Sequence, residues 1–160
     1  MTDLPDFHIP HAEKIAWMID TGGYAVEPVP ARVDTDPPQP GYLYSIGLPE
    51  AFGFPEVIVF GLTPAEAGGL VALVADLLRG GTEIPVGVEL AGIFDGELRA
   101  RFAPLEPDQV QAWLPSSVTW RGAPSDAVQL LWPDRNGFLP YEAGFEQRLR
   151  RAQPVIGRLG

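Results

Sequence analysis

Three carboxylates in this 160-residue sequence have neighbours that could give them chemistry. Asp134 lies in "QLLWPDRNGFLPYEAGF", behind Pro133 and ahead of an Asn136-Gly137 turn, and Glu142 follows eight residues later across that turn. Two carboxyl groups brought close can share a proton or hold a divalent cation. An Asp placed before such a turn is also the residue that accepts the turn's own backbone N–H groups, and that structural role alone explains it. Glu56 opens the apolar run "EVIVF" straight after Pro55. Burial there would raise its pKa and make it a general acid, whereas a solvated strand end or an arginine partner would keep it ionised. Glu56, Asp134 and Glu142 are therefore the acid–base candidates.

Side chains suited to gripping a ligand are Tyr44, Gln129, Trp132 and Tyr141, which combine an apolar body or a buried amide with a polar tip. Core packing and hydrogen bonding to buried backbone explain the same residues, Gln153 included, and both readings stay open. Other chemistries find little support. The chain has no cysteine, which removes disulfides, thiolate zinc sites and cysteine nucleophiles. His8 and His11 flank Pro10, which spoils a regular helix, and no third ligand is near, so they read as surface residues and no metal or cofactor is expected. Ser45 lacks the Gly-x-Ser-x-Gly elbow of a serine hydrolase. The glycines of "LLRGGTEIPVG" follow a helix, where a phosphate cradle needs them before one.

The formal charge of −10, with its arginines dispersed, argues against nucleic acid and anionic membrane surfaces as partners. The longest greasy segment, "GGLVALVADLL", is short and broken by Asp76, and the N-terminus carries acids where a secretory signal carries bases. A soluble cytoplasmic protein is the expectation.

The elements that must position the candidates follow from periodicity. Ala12, Ile15, Ala16 and Ile19 form one face of a first helix stopped by Gly22-Gly23, and "YAVEPV" reads as a short strand. The proline-rich "PARVDTDPPQPG" is unfit for a central sheet and is read as an exposed connector rather than a lid. "YLYSIGL" and "EVIVFGL" are strands, the second central because it is apolar on both faces, with "PEAFGFP" a turn or irregular link between them. Thr63, Pro64 and Glu66 start a helix to Arg79 whose buried stripe is Leu70, Val71, Val74, Leu77 and Leu78. Asp95-Gly96 predicts a two-residue hairpin that sets Ile93 opposite Leu98, Ala91 opposite Ala100 and Glu89 opposite Phe102, with Arg99 and Arg101 on the wetter side. "PDQVQAWL" is a short helix between Pro107 and Pro115, "AVQLLW" a buried strand, and "EQRLRRA" a superficial basic helical stretch. The sum is an α+β single domain, residues 1–160 with a core of about 10–154, holding a mixed or largely antiparallel sheet, one main packing helix and short flanking helices.

"YSIGL", "PEVIVFGL" and "QLLWPDRNGFLPYE", closed by Gln153-Pro154, resemble the bacterial domain-of-unknown-function family numbered 4262, over roughly Gly23 to Pro154. Its pattern has a histidine where this chain has Phe54 and a tryptophan where it has Tyr141, and the cysteine-containing start of many members is missing. A mechanism resting on that histidine is closed to this chain. The resemblance implies an alignment and no activity. Two functions remain: a small acidic binding or interaction module that engages a protein partner or a small polar ligand without turnover, or a hydrolase or transferase using Glu56, Asp134 and Glu142. The thin supply of catalytic residues favours the module. The enzyme requires two of those carboxyl groups within about 7 Å in a closed pocket; the module requires an exposed apolar patch, expected to be rimmed by acids.

Overall fold

The computed structural model describes residues 10–160. Helix α1 (His11–Gly22) leads into strand β1 (Ala25–Val29), and β2 (Tyr42–Ile46) follows across the proline-rich loop. Next come α2 (Leu48–Phe52), β3 (Glu56–Phe60), α3 (Pro64–Arg79), β4 (Glu89–Ala91) and β5 (Arg99–Pro104). The last elements are α4 (Pro107–Trp113), α5 (Pro115–Arg121) and β6 (Ala127–Leu131), before a 3-10 turn at Gln147–Leu149. The strands form one sheet in the order β1-β2-β3-β6-β5-β4. Among the described residues only β3 and β6 run parallel; the other strand pairings are antiparallel. This is the expected α+β mixed sheet, with the doubly apolar "EVIVF" at its centre.

Side-chain alternation sorts the sheet into two cores. Leu43, Val57, Val59, Phe102, Val128 and Leu130 face α3, which meets them with Ala67, Val71 and Val74. Tyr42, Tyr44, Ile58 and Phe60 face the other way, toward Ile15 of α1 and Val110 and Leu114 around α4. Helix α3 begins on a complete capping box between Thr63 and Glu66, an arrangement worth about 1 kcal/mol. Of its expected stripe, Val71 and Val74 are fully buried, while Leu70, Leu77 and Leu78 pack against the core partly exposed.

Four expectations need correction. In α1 the inward residues are Ile15, Met18 and Ile19, and the small Ala12 and Ala16 face solvent. The β4–β5 register pairs Glu89 with Arg101, Leu90 with Ala100 and Ala91 with Arg99, one residue away from that of a tight hairpin. The cause is that β4 ends at Ala91, so the chain crosses through a long irregular loop and Asp95-Gly96 does not dictate pairing. The link after β2 contains the short helix α2, and Pro115 both ends α4 and starts α5, where its missing N–H costs nothing. "EQRLRRA" forms only the 3-10 turn. Arg99 and Arg101 do lie partly exposed while Ala100 and Phe102 are buried.

The chain after residue 152 is laid over the α4 face of the sheet and held by side-chain amides. Gln129 donates to Pro154 O at 2.6 Å and accepts from the Ile156 and Gly157 N–H groups at 2.8 and 3.0 Å. Gln153 brackets Trp132, accepting from its N–H at 2.9 Å and donating to its carbonyl at 3.0 Å. Gly157 lies so close to β5 that an added Cβ would stand 2.5 Å from both Cβ and O of Ala103. Gly157→Ala is expected to cost about 1–2 kcal/mol by overpacking and to lower the melting temperature by roughly 5 °C. Gly160→Ala, with nothing within 4 Å, is the control that leaves the melt unchanged.

Candidate functional site

The structure separates Glu56 from Asp134 and Glu142 and supplies internal donors to all three. Glu56 pairs with Ala127 at the start of β6, and Asp134 lies beyond the far end of that strand. The strand's length, about 13 Å at 3.3 Å per residue, therefore stands between them. Glu56 is fully buried. Its carboxylate accepts from Ser45 Oγ at 2.7 Å, from the N–H groups of Gly47 and Leu48 at 2.7 and 3.2 Å, and from Arg121 Nη2 at 2.7 Å. Arg121 also grips Glu50 with two further bonds of 2.6 and 2.7 Å. The pairing of Glu56 with an arginine, one of the two readings of its position, is what the fold provides.

Asp134 and Glu142 do share one turn. Asp134 accepts from the N–H groups of Asn136, Phe138 and Glu146 at 2.9, 3.0 and 2.9 Å. Burial works to raise its pKa, but these backbone donors outweigh it together and hold the carboxyl below its ordinary value. Glu142 receives Arg99 in a two-pronged pair at 2.5 and 3.0 Å and the Leu139 N–H at 2.8 Å. The Arg99 bonds first, then the Leu139 N–H, hold it low as well. Both carboxylates are kept ionised by internal donors, which suits a braced turn and ill suits a general acid.

The four ligand-gripping candidates scatter. Tyr44 is buried, and its hydroxyl accepts from the Ser116 N–H at 3.0 Å. Gln129 is taken up by its bonds to Pro154, Ile156 and Gly157. Trp132 donates its indole N–H to Phe60 O at 2.8 Å, and its ring lines a shallow cavity of about 480 Å³ between α3 and the 92–98 loop. Tyr141 donates to Glu89 at 2.5 Å and lies under the Arg101 guanidinium. His8 lies outside the described residues. His11 Nε2 is 2.9 Å from Glu27 and 3.5 Å from Ser116 Oγ. Both contacts use one nitrogen, so the trio is not a relay, which needs the acid and the nucleophile on different ring nitrogens.

What the fold does assemble is a groove of about 850 Å³ at the end of the sheet where β3 and β6 finish. One wall is the end of β1 and the proline-rich loop, with Pro28, Pro30, Val33, Pro38 and Pro40; Tyr42, Gly61 and Leu62 form the floor. Arg148, Arg151 and Ala152 form the opposite lip. The loop is exposed, as expected of a connector, yet it is pinned. Arg32 and Gln39 exchange two backbone bonds of 2.8 Å, and Thr35 Oγ1 bonds both Arg32 O and Gln39 N. On the floor, Gly61 has φ +85°, and a Cβ there would stand 2.7 Å from Ala152 O, so only glycine lets the lip close onto the sheet. Tyr42 enters the floor as a buried residue: its ring packs against Phe60 and Trp113 at 5.0 and 5.4 Å, and its hydroxyl donates to Trp113 O at 2.9 Å; burial, then Tyr44 and Glu27, push its pKa up to about 12.

A family model, Domain of unknown function (DUF4262), matches residues 18–146. The chain belongs to the DUF4262 family. The match begins before Gly23 and stops short of Gln153-Pro154, so the arginine lip of this DUF4262 chain lies outside the matched residues. No curated protein and no solved structure matches the chain. Among the described residues no helix is long and apolar enough to cross a membrane, and no three His, Asp or Glu side chains cluster as a metal site.

Sequence reasoning did not find the groove. Its two signals were visible separately, as the proline run at 28–40 and the arginines at 148 and 151, whose i,i+3 spacing sets them on one side of a helical turn. Nothing local couples segments more than a hundred residues apart.

Proposed function

We propose that this chain is a binding module that holds its ligand without turning it over, and that the groove beneath the proline-rich loop is where it does so. The observation that carries the reading is a concave surface with apolar walls, one of them pinned by internal hydrogen bonds, and basic residues at its lip, of the size that small-molecule sites have. The apolar surface is thus bordered by arginines, where the sequence suggested acids. Support also comes from the carboxylates: Glu56, Asp134 and Glu142 each direct their lone pairs to internal donors, and neither Asp134 nor Glu142 lines the groove. The competing reading, a hydrolase or transferase using these three, needs at least one of them free to exchange a proton.

The test is to purify the protein from its native cells and analyse what it retains by mass spectrometry, beside an Ala31→Trp variant that fills the groove from its exposed wall. The reading predicts a small molecule recovered intact with the natural protein and at least tenfold depleted with Ala31→Trp. It fails if the retained molecule is converted on incubation and that conversion stops in a folded Glu142→Gln or Asp134→Asn variant.

A further inference from the structure

The groove's chemistry narrows what can occupy it. We propose that it takes small amphipathic carboxylates, the apolar body lying on Tyr42, Leu62 and the proline wall and the anionic end meeting Arg151. This deepens the binding reading and rests on it.

Charge is the first argument. The chain carries 21 acidic and 11 basic residues, yet among the described residues lining the groove there is no Asp or Glu, and there are two arginines. Such local reversal in an acidic protein marks a place that attracts anions which the rest of the surface repels.

The three arginines of the lip segment also differ in how they are used. Arg150 turns inward and donates to the carbonyls of Pro140, Glu142 and Ala143 at 3.1, 3.1 and 3.3 Å. Arg148 is held by Glu146. Arg151 is exposed, lines the groove and forms no ion pair with any described residue, although Arg32, Arg79, Arg99, Arg121, Arg135 and Arg158 all do. Its guanidinium fork is free to take a carboxylate with two parallel bonds.

The walls decide between a small molecule and an extended peptide. Five of the seventeen lining residues are proline, which has no backbone N–H, and four of these alternate with other residues along the wall, so the wall lacks the unbroken row of main-chain donors by which an extended peptide is recognised. Apolar contact along the body and a single charged anchor are what remain, and a volume of about 850 Å³ accommodates such a molecule.

The experiment is calorimetric titration of the full chain at pH 7 with decanoate, decanol and decyltrimethylammonium, each below its micelle concentration. Decanoate is expected to bind at least tenfold tighter than decanol, with no detectable binding of the cation. Arg151→Gln should abolish the preference for decanoate over decanol, and Arg151→Lys should keep part of it. Arg79→Gln, which removes a surface arginine paired with Asp76, should change neither. Equal binding of decanoate and decanol, or a preference untouched by Arg151→Gln in a folded variant, overturns the proposal. If decanol alone binds and Ala31→Trp blocks it, the groove reading stands and the anion assignment falls. If neither decanoate nor decanol binds, both fall.

Discussion

Replacing Glu56 by Gln is expected to lower stability by about 3 kcal/mol, the low end of the loss caused by removing one member of a buried ion pair. The carboxylate is fully buried and gathers donors from three elements: Ser45 on β2, the N–H groups at the start of α2, and Arg121 on α5. An amide in its place would turn an N–H₂ group against some of these donors and leave the guanidinium with half its charge partners. Arg121 retains Glu50, which keeps the loss from being larger. For a chain of this length the loss corresponds to a drop of roughly 10 °C in melting temperature. Urea unfolding of Glu56→Gln, Arg121→Met and the Glu56→Leu/Arg121→Met double variant measures it. The double variant should lose less than the sum of the singles, because neither charge is then stranded. A Glu56→Gln stability within about 0.5 kcal/mol of the natural protein, on the order of a neutral surface change, would show that the charge is not what the pocket holds.

Asp134→Ala should cost about 3–4 kcal/mol and Asp134→Asn about 2, since the carboxylate satisfies three backbone N–H groups in a turn that has few alternatives. The pH dependence supplies a second, independent sign. Asp134 is held below its ordinary pKa despite its burial, by the Phe138, Glu146 and Asn136 backbone donors. A depressed folded-state pKa means the unfolded chain binds the proton first, so the stabilisation is fully present above about pH 4 and drains away as pH falls through the lower folded value. Glu142, Glu50 and Glu89 are shifted the same way, the first two by arginine, the last by Tyr141 and then Arg99. Acid unfolding of the natural protein therefore reports several groups at once. The gap between it and Asp134→Asn isolates one: it should be widest at pH 7 and close toward pH 3. A gap of constant size across that range would mean that the turn depends on the shape of the side chain and not on its ionisation.

The bounds of helix α3 were legible, because capping is a local event: Thr63 and Glu66 satisfy each other's backbone N–H groups with no help from elsewhere, and Pro64 has no N–H to satisfy. The central place of "EVIVF" was legible for a similar reason, since an unbroken apolar run is stable only with both faces covered. The β4–β5 register was not, because a turn dipeptide fixes pairing only when the strands reach it, and here β4 stops at Ala91. Helix α1 shows the same limit in reverse: the 3.6-residue period located the helix, while the choice of Met18 over Ala16 as an inward residue was made by the surface it packs on.

Local order also explains which parts of the site could be foreseen. By itself the sequence determined that cysteine chemistry is absent, favoured a turn-bracing Asp134 over a carboxylate pair, and left Glu56 three fates, a buried acid, a solvated strand end or an arginine partner, because each depends on residue type and near neighbours. Only the tertiary structure decided that Arg121 is that partner, that Glu56 lies a strand's length from Asp134, and that a proline wall and an arginine lip face each other across Tyr42 and Gly61. Those facts join segments far apart in the chain, and what joins them is the burial of two apolar faces of one sheet, a force without direction that leaves no short-range mark in the residues it brings together.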